Sequence, residues 1–327
     1  MRMNVDRTPA HKVYHPAGSF RRRSLLHQSE STLKTVLLFI DGYGWGAEDP
    51  AVNPTLTYDG GLLRLPTRPA DGSPVSHAGG WARPIDAVLG VDGVPQSATG
   101  QTTLLSGVNA QAAFGKHLTG FPNDLLRSIL LEHSVLKQIT DLGHPACFLN
   151  AFRPRFFELP RERQLQFSAT TVTNLAADLP FFTLDDVTAG RAVYQDFTHA
   201  ELRARGFDLP PMAPGEAGRI IAAATRTYDF VLYEYFQSDK AGHSGEVVRI
   251  QTILAGLDAL LEALLEARAD DTLVVLTSDH GNLEDVTTRR HTTNPVPLMA
   301  WGPGARELVA GITRLDEVTP ALVARYS

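Results

Sequence analysis

Apolar runs rich in β-branched residues alternate with helical patterns from Lys34 onward. The runs are almost continuously apolar, which is typical of strands covered on both faces of a parallel sheet. Five of them predict buried strands, at 35–40, 146–152, 230–236, 272–277 and 297–301. Helical periodicity predicts one helix over 124–141 and a longer one over 247–269. This alternation predicts an α/β fold with a mostly parallel, doubly wound sheet and helices on both faces.

Three stretches depart from the alternation. Residues 46–95 are rich in Pro and Gly and predict a long excursion beside the active edge of the sheet. Residues 153–214 carry several prolines and predict at most a small lid. Residues 1–30 have six Lys/Arg against two acids and no period, which predicts a basic, mobile extension ahead of one domain over 31–327.

Polar positions on the long predicted helix follow a helical spacing. Asp258, Glu262 and Glu266 recur every four residues. We interpret this stripe as a solvated helix face rather than a cation site.

Composition excludes several classes of protein. The net charge of −6 argues against a nucleic-acid binder, although bound metals would still let an acidic enzyme bind phosphate. No apolar run approaches the ~20 residues of a membrane span, so no membrane association is expected. The single cysteine, Cys147, lies in an apolar run, which predicts a buried side chain and a cytoplasmic protein without disulfides. The oligomeric state stays open.

Acidic and histidine side chains follow the predicted strands. Asp41, Asp239, Asp279 and His280 fall at or just after strand ends, where doubly wound sheets bind their ligands. His243 lies four residues after Asp239, and His291 precedes the last predicted strand. Mixed Asp/His ligation suits Mn²⁺ or Zn²⁺ better than Ca²⁺. Two such ions would clamp a phosphoryl group, so the pattern predicts phosphoryl-transfer chemistry on a small phosphorylated substrate.

A hydroxyl for this chemistry comes from the segment around Ser97. The segment predicts a loop passing into a helix, where a serine can be an N-cap. Beside metal ions the same position makes Ser97 a candidate catalytic nucleophile and metal ligand, because the helix N-terminus attracts phosphate and coordination lowers the hydroxyl pKa. Thr99 and Thr102 are the fallback candidates.

Five motifs together resemble the signatures of the alkaline-phosphatase superfamily, and most of all its cofactor-independent phosphoglycerate mutases and phosphopentomutases. The motifs begin at Asp41, Ser97, Asp239, Asp279 and His291. The resemblance implies one metal held by Asp239, His243 and His291. It implies a second held by Asp41, Asp279, His280 and Ser97, with Ser97 as the transient phosphoserine.

The sequence departs from the mutases in two ways, and the second favours hydrolysis. Gln101 stands where the mutases usually have histidine, and the interval from Ser97 to Leu136 has no room for their large inserted cap domain. A mutase must keep water from its intermediate, which requires an enclosing lid. A phosphatase is therefore the leading interpretation.

The alternatives are a phosphomutase, an enzyme acting on a phosphodiester, sulfate or phosphonate, and a non-catalytic metal-stabilised binding module. Basic residues near the predicted centre are candidate substrate contacts: Lys116, His117, Arg153 and Arg155.

Overall fold

The computed structural model describes residues 33–327, so the predicted basic extension over 1–30 lies outside the described residues. Seven strands form one sheet: β1 (Lys34–Ile40), β2 (Val75–His77), β3 (Gly80–Ile85), β4 (Ala146–Phe148), β5 (Phe230–Tyr235), β6 (Thr272–Thr277) and β7 (Val296–Trp301). Their order across the sheet is β2-β3-β7-β6-β1-β5-β4.

Fourteen α-helices occur in the described part of the chain. They are α1 (Ser97–Ser106), α2 (Ala110–Phe114), α3 (Asp124–His133), α4 (Val135–Asp141), α5 (Pro154–Phe157), α6 (Arg161–Gln164), α7 (Ala169–Ala176), α8 (Leu184–Thr188), α9 (Ala200–Ala204), α10 (Pro214–Ala224), α11 (Gln237–Ser244), α12 (Val247–Ala267), α13 (Ala305–Gly311) and α14 (Val318–Val323). A 3₁₀ turn, Leu315–Glu317, precedes α14. None of these helices is long and apolar enough to cross a membrane.

The predicted α/β fold class is confirmed. Strands β4, β5, β1 and β6 are parallel neighbours, with β1 paired to β5 on one side and to β6 on the other. Alternate residues of β1 enter opposite core layers: Val36 packs with α10 and α12, whereas Leu37 packs with α1, α3, α4 and α7. Burial on both faces explains why the strands read as continuous apolar runs.

The other half of the sheet is antiparallel. β7 pairs antiparallel with β6, and β3, which lies inside the predicted 46–95 excursion, pairs antiparallel with β7. The excursion therefore contributes the hairpin β2–β3 to the edge of the sheet, which the turn-rich sequence did not indicate.

The predicted helix over 124–141 is divided in two at Ser134. Its backbone is extended (φ −60°, ψ 143°), and its hydroxyl accepts a hydrogen bond from the Lys137 amide. Ser134 thus ends α3 and caps α4. Serine favours such a break because its hydroxyl bonds to a nearby backbone amide, in competition with the helical hydrogen bonds.

Candidate metal centre

The edge formed by the carboxyl ends of β5, β1 and β6 gathers the predicted ligands. Asp41 directly follows β1, Asp239 lies in the first turn of α11 after β5, and Asp279 and His280 follow β6. Because these three parallel strands are neighbours, their carboxyl ends meet at one edge. His291 reaches the same place from the loop between β6 and β7.

One group of donor atoms surrounds the Nε2 atom of His280. This nitrogen lies 3.3 Å from Asp41 Oδ1, 3.3 Å from Asp279 Oδ2 and 3.2 Å from the Oγ of Ser97. Asp41, Asp279 and His280 are all buried. The four atoms come from three different segments, and they include the predicted nucleophile.

A second group surrounds Asp239. Its Oδ1 lies 3.4 Å from His291 Nε2, and its Oδ2 lies 3.3 Å from His243 Nε2. The two histidine nitrogens are 3.2 Å apart. The rings of His280 and His291 stack with centroids 3.6 Å apart, which makes the two groups adjacent.

The donor atoms fit divalent cations. Asp41 Oδ1 and Asp279 Oδ2 are buried acceptors that receive no hydrogen bond within the described chain. The Nδ1 atoms of His291 and His243 contact the carbonyl oxygens of Pro95 (3.0 Å) and Arg289 (2.8 Å). Because a carbonyl only accepts, each Nδ1 carries a proton, and each Nε2 is the ring nitrogen that faces the group and can bind an ion.

Electrostatics also favour bound cations. Burial, followed by the charges of Asp279 and Asp239, raises the pKa of Asp41 well above its ordinary value. Burial and the charge of Asp239 raise the pKa of Asp279 to about 7. Burial, and next the charge of His291, lower the pKa of His280 to about 3, so this ring is neutral at physiological pH. Crowded carboxylates beside a neutral imidazole are stabilised when positive ions enter.

Three further side chains support the centre and were not predicted from the sequence. Gln101 Nε2 donates to Asp41 Oδ2 at 3.0 Å, and Asn282 Nδ2 donates to Asp239 Oδ1 at 2.6 Å. Glu284, fully buried, accepts hydrogen bonds from the amides of Gly44 (3.1 Å) and Asn282 (2.7 Å) and from the Thr292 hydroxyl. Gln101 and Asn282 belong to the motifs that begin at Ser97 and Asp279, but no local pattern distinguishes the buried Glu284 from an exposed glutamate.

The remaining predicted residues divide into two pairs. Lys116 is exposed and lies over the Phe114 ring, and His117 Nε2 contacts the Val91 carbonyl at 3.1 Å. Arg153 and Arg155 instead line a large cavity at the end of β4 and β5. The hydroxyls of Thr99 and Thr102, the fallback nucleophiles, donate to main-chain carbonyls. Ser97 therefore supplies the hydroxyl beside His280.

Comparisons with known proteins agree with this architecture. Residues 210–322 match the metalloenzyme superfamily. The 2,3-bisphosphoglycerate-independent phosphoglycerate mutase of Cereibacter sphaeroides is 30% identical over 131 residues, which is 36% of this chain and 25% of the mutase. The mutase of Paracoccus denitrificans is 30% identical over 141 residues, 39% of this chain and 27% of its own length. The matches thus span about a quarter of these curated relatives.

Solved structures support the fold. A protein from Pyrococcus horikoshii aligns with TM-score 0.52 and 12% identity, over 90% of this chain and 97% of that one. A cold-active alkaline phosphatase from a psychrophilic Shewanella species aligns with TM-score 0.50 and 12% identity, over 90% and 100% of the two chains. Residues 210–322 are therefore similar to the metalloenzyme superfamily, and the described chain shares its fold with an alkaline phosphatase.

Proposed function

We propose that this protein is a two-metal phosphoryl-transfer enzyme that hydrolyses phosphomonoesters of small metabolites through a phosphoserine at Ser97. One observation carries the proposal: the Ser97 hydroxyl lies within 3.2 Å of His280 Nε2, inside the buried donor set that includes Asp41 and Asp279. A binding module would need the donor atoms but not a hydroxyl placed among them.

Each predicted ligand has a place in this reaction. Asp239, His243 and His291 would hold one ion, and Asp41, Asp279, His280 and Ser97 the other, with Mn²⁺ or Zn²⁺ as the candidate metals. The Nε2 atom of His280 lies near enough to Asp239 and His291 to reach the first ion as well. When bound, the two ions neutralise the phosphoryl oxygens and lower the pKa of the attacking hydroxyl. Cys147 is buried in the core, and its place in a reducing, cytoplasmic protein stays a prediction.

The chain itself orients the nucleophile. Ser97 is the first residue of α1, so the helix N-terminus presents backbone N–H groups to the transferred phosphate. Attack forms the Oγ–P bond and breaks the bond to the alcohol oxygen of the substrate, and the alcohol leaves with the serine proton. Water then forms a bond to phosphorus while the Oγ–P bond breaks; one proton of that water returns to Ser97 Oγ, and free phosphate leaves.

The Ser97→Ala variant tests the proposal. We expect phosphatase activity to fall by a factor of about 10³ or more, because the covalent route is lost. Metal content, measured by mass spectrometry on the same samples, should retain at least the ion of the Asp239 group. Unchanged turnover in Ser97→Ala would remove this residue from the mechanism and contradict the proposal.

The second candidate is an intramolecular phosphomutase, which the sequence matches to phosphoglycerate mutases favour. The interval from Ser97 to Leu136 holds only α1, α2, α3 and their loops, so it supplies no domain to shield a phosphoserine from water. Turnover in ¹⁸O-water separates the reactions: label in free phosphate indicates hydrolysis, and an isomerised ester without label indicates a mutase. The segment 153–214 remains the proposed lid.

A further inference from the structure

A large cavity lies at the carboxyl ends of β4 and β5, which follow β1 across the sheet at the edge that carries the metal centre. Its volume is about 860 Å³, within the size range of ligand sites for drug-sized molecules. Glu234 and Phe236 form part of its lining, and Phe236 lies three residues before the predicted ligand Asp239. Glu234 also lies close enough to Asp41 for its charge to contribute to the raised pKa of that carboxyl. The cavity and the centre therefore share β5 and one edge of the sheet.

The loop before α3 also connects the two places. The Leu118 carbonyl accepts a hydrogen bond from the Thr99 amide at 3.3 Å, two residues after Ser97. The Leu118 amide donates to the Thr99 hydroxyl at 3.1 Å. Three residues further on, Phe121 lines the cavity. The loop that bonds to α1 beside Ser97 therefore also forms part of the cavity wall.

The walls of the cavity are aromatic. Eight of the lining residues are Phe or Tyr, and they come from four parts of the chain: Phe121, Phe148, Phe152, Phe156, Phe167, Tyr194, Phe207 and Phe236. Several pack edge to face, such as Phe156 with Phe167 at 5.4 Å between ring centroids. Such walls favour an aromatic or extended apolar ligand.

Most polar groups of the lining already have partners within the protein. Asn150 exchanges two hydrogen bonds with the Glu234 backbone, at 2.8 and 2.9 Å. The Ser168 and Thr171 hydroxyls contact each other at 2.9 Å. Gln195 donates to Glu201, as does Arg205, another lining residue. A sugar or glycerate would therefore find few open partners for its hydroxyl groups.

Two charged side chains at the rim are different. Arg153 and Arg155 are exposed and form no ion pair within residues 33–327. Unpaired guanidinium groups attract phosphate dianions and raise their local concentration. The lining also contains the exposed acid Glu158, so the two free arginines leave the entrance with a cationic surplus beside an apolar interior.

We propose that the cavity holds the organic group of the substrate, and that the substrate is a phosphomonoester of an aromatic or extended apolar alcohol. This inference rests on the proposed phosphatase function and names its substrate class. A glycerate or pentose body would leave most of the 860 Å³ unfilled and most of the aromatic wall in water.

Two phenylalanines provide a matched pair of variants. Phe167 and Phe157 are similarly exposed, at 37% and 43%, and both pack edge to face on Phe156, at 5.4 and 5.6 Å. Of these two residues, only Phe167 lines the cavity. Replacing either ring by alanine removes one equivalent contact with Phe156, so a difference between the variants reports on the cavity.

The experiment uses two non-hydrolysable probes, 1-naphthylmethylphosphonate and methylphosphonate, with calorimetric titration of the Mn²⁺-loaded protein. We expect the naphthyl probe to bind the unmodified protein at least about tenfold more tightly. The double variant Phe121→Ala/Phe167→Ala should lose most of that preference, and Phe157→Ala should keep it. Equal binding of both probes, a preference that survives the double variant, or an equal loss in Phe157→Ala would overturn the inference.

Turnover measured in parallel separates this inference from the proposed reaction. If the protein hydrolyses methyl phosphate through Ser97 but shows no naphthyl preference, the substrate class is wrong and the reaction stands. If it hydrolyses no phosphomonoester but shows a naphthyl preference that depends on Phe121 and Phe167, the cavity assignment is supported and the reaction is wrong.

Discussion

At the scale of single residues, the buried carboxylate of Glu284 organises the centre without belonging to the donor groups. It joins the segment after Asp41, through the Gly44 amide, to the segment after His280, through the Asn282 amide. The Thr292 hydroxyl adds the segment of His291. One carboxylate therefore holds three segments that are separate in sequence, and we expect Glu284 to act as a positioning residue.

The Glu284→Gln variant tests this role. The glutamine amide has one acceptor oxygen where the carboxylate has two, so it cannot accept both from the two backbone amides and from the Thr292 and Asn294 side chains. We therefore expect a loss of about 1–3 kcal/mol in the free energy of unfolding. Metal affinity should fall by a factor of about 10 to 100, because the ligand segments lose their common anchor. Urea denaturation and metal titration measure the two effects. The exposed Glu262→Gln change is the control and should alter neither; an unchanged affinity in Glu284→Gln would contradict the positioning role.

Gln101 supports one ligand directly. Its Nε2 atom donates to Asp41 Oδ2. We expect Gln101→Ala to weaken metal binding by a factor of about 10 to 100. Gln111→Ala is a matched control, because Gln111 is also a buried glutamine with two hydrogen bonds, to Thr103 and Ala87, and neither partner is a predicted ligand. Comparable losses of metal affinity in both variants would show that general destabilisation, rather than support of Asp41, is responsible.

At the scale of elements, helix α1 approaches the end of β6 very closely. A Cβ atom added at Gly100 would lie 2.8 Å from the carbonyl oxygen of Asp279, a distance that side chains do not tolerate. The glycine thus permits the contact that brings Ser97, at the start of the same helix, to His280.

The Gly100→Ala variant should displace α1 from the strand end. Because small displacements of a reacting group are costly, we expect phosphatase turnover to fall about tenfold or more. Gly215→Ala in the first turn of α10 is the control, since its added Cβ would lie 3.5 Å from the nearest atom. It should leave turnover unchanged and raise stability by up to about 1 kcal/mol. Full activity in Gly100→Ala would show that α1 can shift without harm.

A second element departs from the sequence prediction. Asp258 was interpreted as part of a solvated stripe on the long helix, yet it is buried at 4% exposure. Its carboxylate accepts hydrogen bonds from the Tyr58 hydroxyl and the Leu63 amide, both at 2.8 Å. The prediction for Asp258 was wrong because the excursion over 46–95 folds onto α12 and covers this residue, whereas Glu262 and Glu266 stay exposed.

At the scale of the whole molecule, a buried acid with a raised pKa makes the free energy of unfolding fall as the pH rises. Burial raises the pKa of Glu234 from 4.5 to about 7, although a hydrogen bond from Thr170 partly offsets the shift. The folded state therefore binds this proton more tightly than the unfolded state. Its contribution to stability is complete below pH 4.5 and is lost as the pH rises to about 7.

The Glu234→Gln variant isolates this contribution. Because the side chain no longer ionises, the variant should become more stable than the unmodified protein above pH 7, by up to about 3 kcal/mol, and similar to it near pH 4.5. Urea unfolding in chelator between pH 4.5 and 8 measures the difference, with the exposed Glu266→Gln change as control. Parallel pH profiles for the unmodified protein and Glu234→Gln would contradict a raised pKa.

The sequence by itself determined the fold class and proposed the chemistry. Both rest on local signals: continuous apolar runs predict strands buried on two faces, and in a parallel sheet the residues after such strands share an edge. For this reason seven residues, the first Asp41 and the last His291, could be proposed as one centre, and neighbouring donor atoms among them lie 3.2–3.4 Å apart.

Only the tertiary structure decided what depends on contacts between distant segments. Glu284 and Asp258 look like ordinary helix or loop acids in sequence, because burial by another segment has no local pattern. The aromatic cavity likewise draws its walls from residues 121–236, and each phenylalanine alone predicts only a core position. Which side chains face one another across a fold is decided by packing, and packing is a property of the whole chain.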